Sequence, residues 1–136
     1  AYYGHTHIFN RCVYTMPIQV IGSLTADQCQ FTTLTLIGQG LLNQTQVDHA
    51  FVTGALQAKD AHFTQTISIL GHDFQCYHCR INYLTIASDA THTPVVRLYR
   101  DSIVSGQIRF SQLPGQVHLY ASKLSYPPIN GQIIFH

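Results

Sequence analysis

The residues Cys76-Tyr77-His78-Cys79 hold the most concentrated chemistry in the chain. Two thiols three positions apart with an imidazole between them are zinc-type ligands, and Cys76, Cys79, His78 and Cys29, or Cys12 in its place, would make a tetrahedral set. The second Cys-x-x-Cys that gives such sites their specificity is absent. A redox pair would instead need a thiol at a helix N-terminus, where the dipole lowers its pKa, and no helical period follows Cys79. A structural disulfide asks only for an oxidising compartment, and that is the reading adopted. Cys12, Cys29, Cys76 and Cys79 permit three pairings; Cys12 with Cys29 and Cys76 with Cys79 is preferred, and the sequence leaves the others open.

Other polar constellations are thinner. His5-Thr6-His7 places two imidazoles on one strand face, a surface site for a divalent transition metal, but spacing supplies no third ligand and two exposed polar residues explain it as well. Gly71-His72-Asp73 and Ser88-Asp89 bring hydrolase residue types together without a Gly-x-Ser-x-Gly elbow, a His-Glu-x-x-His or a phosphate loop. Every acid is an aspartate, so the glutamate of most glycosidases is missing. The expectation is a protein without catalytic residues or cofactor. Eight tyrosines remain: Tyr99 and Tyr120 as sugar-stacking platforms, and Tyr2, Tyr3, Phe9 and Tyr14 as interface candidates. Asn43-Gln44-Thr45 fits the glycosylation sequon.

Charged residues make up 10% of the chain and the formal charge is +1, with the cations scattered, which argues against nucleic acid as a partner. No apolar run approaches the ~20 residues that span a bilayer as a helix. The even cysteine count, the low charge and a first residue other than methionine suggest an exported product, in the periplasm or at the outer membrane.

Strands carry these residues. Apolar and polar residues alternate in short bursts from Val20 onward, and no stretch keeps a capped helical period for three turns. The weak exception, 46–58, also alternates through Val47, His49 and Phe51 and is read as strand. Gly22, Gly38, Gly54 and Gly71 stand sixteen, sixteen and seventeen residues apart. Gly22-Ser23-Leu24-Thr25-Ala26 followed by Phe31-Thr32 returns thirty-two residues later as Gly54-Ala55-Leu56-Gln57-Ala58 followed by Phe63-Thr64. In a coiled solenoid these glycines would turn corners, and Leu24 and Leu56, Ala26 and Ala58, and Phe31 and Phe63 would line ladders two coils apart. Gly106-Gln107-Ile108-Arg109-Phe110 returns as Gly131-Gln132-Ile133-Ile134-Phe135, and Val96-Arg97-Leu98-Tyr99 as Val117-His118-Leu119-Tyr120, which reads as two related hairpins. The prediction is one all-β domain over 1–136, solenoid-like or two-lobed. It has a soft sub-boundary at the turn-rich 87–94 and an N-terminal arm or cap at 1–19.

These glycine-led units resemble bactofilin-type β-solenoids and the small exported β-repeat proteins of Legionella-like bacteria, patchily from Val20 to Phe135. The resemblance implies scaffold instead of catalysis, and a non-enzymatic subunit of an envelope assembly such as a type IV secretion outer-membrane complex, with other protein subunits as partners. Filament formation is not carried over, because the cysteine set and the interruption at 89–94 depart from the bactofilin pattern. The alternatives are a carbohydrate-binding or adhesive module using surface tyrosines and, third, a zinc protein or small hydrolase.

Overall fold

The alternating bursts become a parallel β-solenoid of about 7 turns, 71% strand and with no helix among the described residues. The computed structural model describes residues 2–88 and 91–136, and their side chains except at 2–5 and 72. The strands are β1 (Tyr2–Asn10), β2 (Val13–Tyr14), β3 (Ile18–Asp27), β4 (Gln30–Asn43), β5 (Gln46–Lys59), β6 (His62–Tyr77) and β7 (Arg80–Ala87). They continue as β8 (Val95–Tyr99), β9 (Ile103–Val104), β10 (Ile108–Phe110), β11 (Gly115–Tyr120), β12 (Lys123–Leu124) and β13 (Gly131–Phe135). Each pairing between them is parallel, so the downstream half holds no hairpin, contrary to the echo-based expectation. Val96 to Tyr99 do pair in register with Val117 to Tyr120, but Gly131 pairs with Gly115 and not with Gly106. The turn-rich segment at 87–94 does not divide the stack: β8 pairs with β6 and β10 with β7 across it. Asp89 and Ala90 of that segment lie outside the described residues.

The coils of β3, β4 and β5 bend at their glycines. Gly22 pairs with Gly38 and Gly38 with Gly54, at φ of 125°, 137° and 131°. A Cβ on Gly38 or Gly54 would overlap the carbonyl oxygen of the glycine one coil before, so both the dihedral and the close approach demand glycine. At the fourth beat the register shifts between Thr53 and Ala55, which absorbs the extra residue of the 70–73 stretch.

A second corner has no glycine. Arg11, Gln28, Gln44, Asp60, His78, Arg100 and Ala121 stand at φ between 48° and 56°. For a non-glycine residue this costs about 1–2 kcal/mol. The corner offsets that cost with a hydrogen bond to the next coil: the N–H groups of Arg11, Gln28, Gln44, Asp60 and His78 donate to Asp27, Asn43, Lys59, Tyr77 and Tyr99 carbonyls at 2.9–3.0 Å.

The interior is a set of stacked columns. Leu24, Gly40 and Leu56 are register partners, as are Ala26, Leu42 and Ala58, and Phe31, Val47 and Phe63. The thirty-two-residue echo is therefore a large-small alternation along each column. Gly40 shows the tightness, since a Cβ there would meet Leu36 Cδ2 at 2.6 Å and Leu56 Cδ1 at 2.8 Å.

Candidate functional site

The left-handed corners fix where the cysteines go. The first residue past each left-handed corner turns inward, after the pair Arg100-Asp101 on the sixth, giving the column Cys12, Cys29, Thr45, Ala61, Cys79, Ser102 and Ser122. Its hydroxyls satisfy corner backbone: Ser102 Oγ accepts from Cys79 N at 3.0 Å and donates to the Tyr99 carbonyl at 2.8 Å, and Ser122 Oγ accepts from Ser102 N at 3.1 Å. Cys76 is bonded to Cys79 across the His78 corner, and both are fully buried. Cys12 and Cys29 carry free thiols, and the Cys29 thiol donates to the Asp27 carbonyl at 3.4 Å, so the second bridge expected from the sequence is not formed here. Burial, followed by the neighbouring Cys29 side chain and its charge, pushes the Cys12 thiol up to about 12.

The zinc set does not assemble. The Cys76 and Cys79 sulfurs are bonded to one another. His78, 65% exposed, turns outward to Asp60, Nδ1 to Oδ1 3.1 Å. Cys29 lies three coils away, beside Cys12. Among the described residues no group of three or more histidine, cysteine or acidic side chains is placed to hold a metal ion. The His5 side chain lies outside the described residues, as do those of Tyr2, Tyr3 and His72. Phe9 and Tyr14, taken from the sequence as interface anchors, pack against the core. Tyr14 stacks on Phe31 (centroids 5.7 Å, 4°) and Phe9 meets both rings edge-on, so the pair plugs the first coil.

The outer surface carries a ladder that the sequence analysis did not identify. Asn10, Asp27, Asn43, Lys59, Tyr77, Tyr99 and Tyr120 are successive register partners just before each left-handed corner, and His136 stacks beyond Tyr120. Tyr77–Tyr99, Tyr99–Tyr120 and Tyr120–His136 lie 4.6, 4.4 and 4.1 Å apart with nearly parallel planes. Both faces of Tyr99 and Tyr120 are thus covered by other rings, so neither offers a sugar-stacking face. Desolvation, then the neighbouring Tyr120 and Tyr77, raise the Tyr99 phenol above its ordinary value. The signal available in the sequence was a Tyr at 77, 99 and 120, each directly before a corner residue.

Below Tyr77 the ladder changes from rings to polar side chains and a trough of about 460 Å³ opens over Asp27, Asn43, Lys59 and Tyr77, overhung by Arg100. At the other end of the body the interior column Phe9, Ala26, Leu42, Ala58, Cys76, Leu98, Leu119 and Phe135 emerges from the stack. Phe135 is 76% exposed although its column is otherwise core. Among the described strands β13 pairs with β11 alone, leaving its other edge open. No described helix is long and apolar enough to cross a membrane. The chain matches no family model, no curated protein and no solved structure.

Proposed function

We propose that this protein is a non-enzymatic structural subunit of an exported or cell-envelope assembly, such as a secretion-system outer-membrane complex, and that it works by presenting stacked-strand surfaces to neighbouring subunits. The emergence of the core at Phe135 carries this reading. An apolar side chain on an interior column, beside an open parallel strand edge, is where a partner strand or coil gains both buried area and backbone hydrogen bonds. The Cys76–Cys79 disulfide supports an oxidising compartment, and the sparse charge suits a protein that lives among other subunits.

The test is the mass of the protein isolated from its native membrane fraction. A complex larger than the monomer, dissociated by Phe135→Asp, is expected; a free monomer in every gentle extract overturns the reading. Phe135 is surface-exposed, so the substitution leaves the other interior columns packed.

A further inference from the structure

The trough beside Tyr77 is unrelated to the open end of the solenoid and has the composition of a small-ligand site. Its volume of about 460 Å³ falls in the range of small-molecule pockets, about 300–1,000 Å³. It runs along four rungs of the outer ladder, from Asp27 through Asn43 and Lys59 to Tyr77, about 14 Å at the ~4.8 Å spacing of paired strands.

Four features define what fits. Tyr77 is the last ring of the aromatic ladder: one face is covered by Tyr99, the register partner on its other side is Lys59, and both Tyr77 and Lys59 line the trough. Lys59 and Arg100 both line the trough and, among the described residues, neither has a carboxylate in ion-pair range; Asp60 contacts His78 and Asp73 contacts Arg97 instead. The one carboxylate lining the trough, Asp27, stands at the far end and accepts a hydrogen bond from Asn43 Nδ2 at 3.0 Å. Between the ends, the Gln57 amide and the exposed Leu41 provide polar and apolar wall.

The backbone decides between ligand classes. The strands under the trough are paired on both sides by neighbouring coils, so an extended peptide finds no free N–H or C=O row to join. Two cations and a carboxylate are too few and too mixed for a polyphosphate strand. What remains is side-chain recognition by an aromatic ring, amides that bond hydroxyls, and two cations that bond a carboxylate, which is the chemistry of an acidic sugar. We propose that this trough binds a short uronate-containing oligosaccharide, its carboxylate held by Lys59 and Arg100 and one sugar ring packed against Tyr77.

The experiment is calorimetric titration of the full chain with a short oligogalacturonate, alongside its methyl ester and a glutamate peptide of equal charge. Saturable binding of the free acid is expected, at least tenfold tighter than the ester or the peptide and weakened by salt. Lys59→Gln with Arg100→Gln, both at exposed positions, should lower affinity at least tenfold, as should Tyr77→Ala, whereas Tyr120→Ala should leave it within twofold. Equal binding of ester or peptide, no saturation at millimolar ligand, or an undiminished double variant overturns the proposal. Tyr77→Phe keeps the aromatic ring and should retain binding, which separates ring loss from unfolding. None of these outcomes depends on whether the protein is found in a larger complex.

Discussion

Cys12 and Cys29 occupy the same corner on successive coils, one rung apart, both as free thiols. Corner backbone holds them there: Gln30 N donates to the Cys12 carbonyl at 2.8 Å, and Arg11 N to the Asp27 carbonyl at 2.9 Å. The ~4.8 Å rung spacing lies inside the Cα separation that a disulfide accepts. A small-molecule disulfide such as oxidised glutathione is therefore expected to close the pair. Each thiol gives up its proton, the two sulfurs join, and two electrons reduce the reagent to two thiols. With a Cys12 pKa of about 12, closure and alkylation should be slow at pH 8 and speed up with pH. Peptide mapping should find Cys12 bonded to Cys29, with the first coil more stable by about 3 kcal/mol, the value for a loop of roughly this length. Rapid alkylation of both thiols at pH 7 contradicts this geometry.

Gly54→Ala should be among the most damaging single-methyl changes in the chain. A φ of 131° costs an L-residue about 1–3 kcal/mol, and the new Cβ overlaps the Gly38 carbonyl oxygen, so the coils must separate. Denaturant unfolding should show at least about 2 kcal/mol lost, whereas Ser23→Ala, on the outer face one residue after an equivalent bend, should cost under about 0.5 kcal/mol. A near-neutral Gly54→Ala would mean that the bend is not built as described.

The glycine corners and the two-coil ladders were legible because both leave a mark in residue identity: only glycine tolerates the bend, and only alternating volumes fill the columns. The left-handed corners at Gln28, Gln44, Asp60 and His78 were not legible. Their requirement is met by a backbone hydrogen bond and an inward small residue, so the corner itself is free to be glutamine, aspartate or histidine. The second echo misled for a related reason. Gly106-Gln107-Ile108-Arg109-Phe110 and Gly131-Gln132-Ile133-Ile134-Phe135 both satisfy strand patterning, but they lie on different sides of the coil, Ile108 pairing with Leu84 and Ile133 with Val117. The trough was missed because Lys59, Tyr77 and Arg100 are far apart in sequence and meet only through the register of stacked coils.

The volume alternation can be tested by inverting it. Leu42→Ala, at a fully buried position, should cost about 2–5 kcal/mol. Ala58→Leu, one rung away and equally buried, should cost about 1–3 kcal/mol by overpacking. The double variant moves the large residue by one coil at constant column volume and should lose less than the sum by at least about 0.5 kcal/mol, measured as a double-mutant cycle. Strict additivity would show that the two positions do not share a column.

The last coil should be sensitive to acid through His118. Its Nε2 lies 3.1 Å from Gln116 Oε1 and its Nδ1 2.8 Å from His136 Nε2, with the two rings stacked. The neutral ring satisfies both contacts, donating from Nε2 to Gln116 and accepting at Nδ1 from His136. Protonation would place a second hydrogen against the His136 donor. Desolvation, then His136 and the neighbouring Arg97, lower the His118 pKa from its ordinary value of 6.5. The sign follows from proton counting: between the folded and unfolded pKa the unfolded chain binds more protons. This contribution to stability is therefore complete above about pH 6.5 and lost as pH falls through the folded value. Hydrogen exchange in β13 should speed up between pH 7 and 5 beyond its intrinsic pH dependence, and His118→Gln should remove that excess. An NMR titration midpoint for His118 at or above 6.5 would show that the ring pair does not hold it neutral.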